Sequence, residues 1–77
     1  MKGTRVKGLT KRSVTIAGHR TSVSLEPLFW QSLKELADEE GLSLNALITR
    51  IDSTRETNLS SALRLYVLEY FRLKAKA

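Results

Sequence analysis

The sequence predicts a mostly α-helical domain that opens with a short β-ribbon and ends in an additional C-terminal helix. Three observations predict it. β-branched and polar residues alternate before Pro27. Two helix-period segments follow, divided at Gly41-Leu42-Ser43. A third segment, strongly apolar, begins after Asn58.

Each element has a local cause. Thr21-Ser22-Val23-Ser24-Leu25 alternates polar with apolar, as a half-buried strand does. Val23 and Leu25 then face the core, with Thr21 on the same side, while Arg20, Ser22 and Ser24 face out. Ser13-Val14-Thr15-Ile16 carries a weaker version of the pattern, and whether residues 13–16 form a strand stays open. Gly18 can turn a hairpin between the two runs, although Ala17-Gly18 is not among the favoured two-residue turns. Pro27 suits the first position of a helix, where its missing N–H is not needed. Phe29, Leu33, Leu36 and Ala37 share one face of that helix. Gly41 can take the left-handed closing position and Leu42 can fold back on the last turn. Ser43 caps a second helix, whose apolar face is Leu44, Leu47, Ile48 and Ile51. Ser53 to Thr57 is polar and ends it. Asn58 caps a third helix running to about Leu73.

That third helix carries two apolar strips. Leu59, Ala62, Leu63, Tyr66, Tyr70 and Leu73 form one, and Leu65, Leu68 and Phe71 form another. A second strip calls for a second partner. A chain of 77 residues has little left to cover it, and small domains have marginal cores. Both points predict a homodimer, with Leu65, Leu68 and Phe71 at its interface.

Charge is distributed unevenly. Residues 1–20 hold six basic residues and no acid, whereas residues 21–77 hold seven bases and eight acids. The expected organisation is a flexible basic arm over residues 1–11 and a folded domain over 12–77, with the C-terminal helix at about 58–73. A basic arm on a near-neutral body seeks a polyanion. The sequence holds no cysteine and a single histidine, which leaves no disulfide framework and a poor basis for zinc. No acid pair or nucleophile with a base stands out. No enzyme activity, metal or cofactor is expected. No apolar run approaches the length of a membrane span, and the arm lacks an apolar face for insertion. No membrane partner is expected, and a cytoplasmic location fits.

The order of basic arm, alternating strand, helix, Gly-x-Ser turn and helix over Arg20 to Ile51 resembles the ribbon-helix-helix superfamily of bacterial DNA-binding proteins. Asn58-Leu59-Ser60-Ser61-Ala62-Leu63-Arg64 and Arg12-Ser13-Val14-Thr15-Ile16-Ala17-Gly18-His19 resemble a small single-domain branch of it. The resemblance implies an intertwined dimer in which one strand from each chain pairs and enters the major groove of double-stranded DNA, with Val23, Leu25 and Trp30 at the dimer interface. It places Arg20, Ser22 and Ser24 on base edges and the helix N-terminus at Ser43, Leu44 and Asn45 on phosphate. Lys11 and Arg12, beside the ribbon, are expected to meet phosphates too. Two features depart from the pattern. Serines stand where longer outward residues are usual, and Glu26 stands where proline usually does.

The function expected is that of a dimeric, sequence-selective transcriptional regulator of repressor type. An antitoxin role is less expected, because residues 58–73 form a compact helix rather than a wrapping tail. The alternative is a dimeric ligand- or protein-binding module that keeps the fold and lacks strong base readout. His19 reads as a solvated turn residue. Neither the target sequence nor an effector is legible.

Overall fold

The computed structural model describes residues 8–76. The chain runs β1 (Thr10–Ile16), β2 (His19–Leu25), α1 (Pro27–Glu39), α2 (Leu44–Thr54) and α3 (Leu59–Lys76). The strands form a two-stranded antiparallel ribbon, with Thr10 opposite Leu25 and Ile16 opposite His19. The expected arm over residues 1–11 lies mostly outside the described residues. Its last two positions, Thr10 and Lys11, belong to β1.

The resemblance implied a ribbon with one strand from each of two chains. Here both strands come from one chain. The cause is the turn. Ala17 has φ 52° and Gly18 has φ 82°, the positive pair that a type I′ hairpin turn requires. Glycine takes that conformation without cost, whereas alanine bears about 1–2 kcal/mol in it. Closing so short a loop costs little chain entropy, and β1 pairs with β2 within the chain.

The helix boundaries follow local capping. Pro27 occupies the first turn of α1. At its other end the Leu42 amide donates to Ala37 O (2.9 Å) and the Gly41 amide to Asp38 O (3.1 Å). With Gly41 at φ 71° this is a Schellman closure. Ser43 Oγ accepts from the Ala46 amide at 3.0 Å and starts α2. Asn58 Oδ1 accepts from the Ser61 amide at 2.9 Å and starts α3.

The three helices cover one face of the ribbon. Val14, Val23 and Leu25 enter the core with Trp30, Leu33, Leu36, Leu47, Ile48, Leu63 and Val67. Trp30, Val23 and Leu25, expected at a dimer interface, are each at most 4% exposed within the single chain. Trp30 takes the central place in α1 that the periodicity offered to Phe29, which packs at the core's edge. Leu73 lies on the expected inner strip of α3 yet is 66% exposed. The reason is length. α3 has 18 residues against 13 in α1, about 27 Å against about 20 Å, so its last turns pass beyond the body.

Candidate nucleic-acid interface

Partners across an antiparallel ribbon share a face. The register therefore sorts the ribbon into two faces. Towards the helices lie Thr10, Arg12, Val14 and Ile16 of β1 with His19, Thr21, Val23 and Leu25 of β2. Away from them lie Lys11, Ser13 and Thr15 with Arg20, Ser22 and Ser24. The outward face thus carries two cations and four hydroxyls, with no acid and no hydrocarbon side chain. Ser24 is half-buried and the other five are exposed. A flat row of donors and hydroxyls on a two-stranded ribbon has the chemistry and the width for base edges in the major groove.

Arg20, Ser22 and Ser24 stand on the outward face, as the alternation predicted. Lys11 stands there too, opposite Ser24. Arg12 does not. Its guanidinium lies over the Trp30 ring, 5.4 Å from the centroid, on the face turned towards the helices. The indole Nε1–H donates to Thr10 O at 2.8 Å. Trp30 therefore secures the start of β1 by both its face and its edge.

Ser13 and Thr15 were missed by the sequence reading. Their signal is a repeat. Lys11-Arg12-Ser13-Val14-Thr15 parallels Arg20-Thr21-Ser22-Val23-Ser24, so whatever orients β2 orients β1 likewise.

The start of α2 abuts the ribbon. Asn45 Nδ2 donates to Thr15 O (2.7 Å) and its Oδ1 accepts from the Thr15 amide (3.2 Å). The side-chain amide takes up both backbone polar groups of β1 at that edge, as a neighbouring strand would. Ser43 Oγ is engaged by its cap and Leu44 is half-buried. What this terminus offers an anion is backbone. The amides of Leu44 and Asn45 precede the intrahelical ladder, where the helix dipole favours negative charge. Asn45 thus fixes the anion-attracting end of α2 beside the Thr15–Arg20 end of the ribbon.

Behind the ribbon, α3 holds its base. Ser60 Oγ donates to Ser24 O (3.3 Å) and Arg64 Nε donates to a Glu26 carboxylate oxygen (2.9 Å). The bond from Arg64 holds the Glu26 carboxyl below its ordinary range. This gives the departure from proline a role: Glu26 ties the added helix to the joint between β2 and α1. Glu40 is likewise held low by Arg50, which pairs with it across the α1–α2 corner. Among the described residues there is no cluster of potential metal ligands and no helix long and apolar enough to cross a membrane.

The sequence profile of the ribbon-helix-helix domain matches residues 9–71. The chain belongs to the ribbon-helix-helix family. A solved structure, that of an uncharacterized protein from Bordetella pertussis Tohama I, is similar to this ribbon-helix-helix protein at a TM-score of 0.80 and 34% identity. The similarity covers 95% of this chain and 63% of that one, so the chain spans under two thirds of its neighbour's length. No curated protein matches it in sequence. Ribbon-helix-helix domains typically bind DNA, and the fold is not a catalytic one.

Proposed function

We propose that this ribbon-helix-helix protein is a sequence-selective, double-stranded-DNA-binding homodimer that regulates transcription, in the manner of a repressor. The carrying observation is the outward face of the ribbon, which has cations and hydroxyls and no acid. Arg20 can bond guanine O6 and N7 bidentately, and the short serines let the ribbon sit close to base edges. The α2 amides beside Thr15 supply the phosphate clamp that sets the ribbon's height in the groove. The dimer contact is assigned to the exposed strip Leu65, Leu68 and Phe71 of α3. The protein works in the cytoplasm on nucleoid DNA, without a cofactor and without catalysis.

The test is Arg20→Ala. It should lower affinity for a site selected from a random duplex pool by about 1–3 kcal/mol more than it lowers affinity for random DNA. Equal loss on both would remove base readout from the ribbon. A second reading, a dimeric ligand- or protein-binding module that keeps the fold, is favoured by the short Ser22 and Ser24 on the ribbon, which reach less far towards base edges. A wild-type protein that shifts no genomic fragment at moderate salt would leave that reading standing.

A further inference from the structure

The two strands of the ribbon are near-copies of one another. Lys11, Ser13, Val14, Thr15 and Ile16 correspond in class to Arg20, Ser22, Val23, Ser24 and Leu25. The pairing makes this correspondence spatial. Ser13 lies opposite Ser22. A two-fold rotation through that pair carries Lys11 onto Arg20, Thr15 onto Ser24 and Val14 onto Val23. Both valines are buried, at 6% and 3% exposure. Both cations are exposed on the outward face. Each also has a short hydroxyl residue across the ribbon, Ser24 beside Lys11 and Thr15 beside Arg20.

From this we propose that the hairpin of one chain is a complete, pseudo-two-fold DNA-reading unit, in which Lys11 is the base-reading counterpart of Arg20. The proposal rests on the DNA-binding reading above. Its reason is geometric. Lys11 and Arg20 stand equally far from the ribbon's centre on the same face, so the groove depth that admits one admits the other. From Lys11 to Thr15 a strand spans about 14 Å, or roughly four base-pair steps at about 3.4 Å each. The two cations therefore meet opposite ends of a short element. Both side chains recognise guanine O6 and N7, arginine with the more directional fork. The element read by one hairpin is then nearly but not fully palindromic, and a dimer carries two such units.

The experiment compares Lys11→Ala with Arg20→Ala in the full chain, on the selected site and on random duplex. Each should reduce discrimination by about 5- to 150-fold, at opposite ends of the element, with unchanged circular dichroism because both side chains are exposed. If Lys11→Ala weakens both DNAs by one factor while Arg20→Ala still costs discrimination, Lys11 is a phosphate contact. The proposal then fails and the DNA-binding function stands. A wild-type protein without any preference overturns both. Mixing the two variants checks the single-chain ribbon. Every ribbon then lacks one cation, so the mixture should discriminate no better than either variant alone. Recovered discrimination would mean that strands of different chains pair, and would overturn the proposal.

Discussion

The outward face of the ribbon and the outward strip of α3 are both open to solvent and are chemically opposite. The first holds Lys11, Ser13, Thr15, Arg20, Ser22 and Ser24. The second holds Leu65, Leu68 and Phe71, which are 57%, 53% and 45% exposed. The ribbon's inner face is covered by three helices, and its turn closes it within one chain. The hydrogen bonding between β1 and β2 is made within the chain, and the proposed dimer contact is assigned to the exposed strip of α3. Under the proposed function the contrast separates two jobs, reading on the ribbon and association on α3.

Breaking the apolar surface should have the largest effect. Wild type should sediment as a dimer, with a melting temperature that rises with protein concentration. Leu65→Glu with Leu68→Glu should give a folded monomer whose affinity for a duplex carrying two sites falls on the order of 10²- to 10⁴-fold, through loss of bivalency. A variant that stays dimeric in the ultracentrifuge would place association elsewhere.

The basic segment before β1 sharpens the other side of the contrast. Deleting residues 1–7, which include Lys2, Arg5 and Lys7, should weaken all DNA sequences alike. It should also flatten the log–log salt dependence by up to about 3, near 0.9 per phosphate released. The deletion stops short of Thr10 because β1 begins there. An unchanged slope would make this segment a bystander.

A smaller effect tests the closure of the ribbon within one chain. Ala17→Asn replaces a residue held at positive φ by one that tolerates it in type I′ turns. It should stabilise the protein by about 0.5–1 kcal/mol, seen as a higher melting temperature at fixed protein concentration. A destabilised variant would argue against the turn.

The smallest effect is on pH. Glu26 and Glu40 have carboxyls held below the ordinary value of 4.5, chiefly by hydrogen bonds from Arg64 and Arg50. The folded state therefore binds fewer protons than the unfolded one. The stabilisation is present above that value and is lost as pH falls through the folded values. Between about pH 5.5 and about pH 3, the melting temperature of Glu26→Gln with Glu40→Gln should fall less than that of wild type.

The sequence by itself determined what short-range bonding decides. Pro27, the Gly41–Leu42 closure and the caps at Ser43 and Asn58 involve partners within a few residues, and each stands where the pattern put it. Alternation alone also oriented Arg20, Ser22 and Ser24, because side chains along a strand change face at every residue. Only the tertiary structure decided which strand β2 pairs with and in what register, since period two assigns faces but names no partner. That choice set Lys11, Ser13 and Thr15 beside Ser24, Ser22 and Arg20 and turned Arg12 onto Trp30. Asn45 reads as a second residue of a helix, and its clamp on Thr15 depends on a contact across 30 positions. Leu73 lies on the inner strip by periodicity, but burial also needs a neighbour at the same height, and α3 is longer than the helices it packs on.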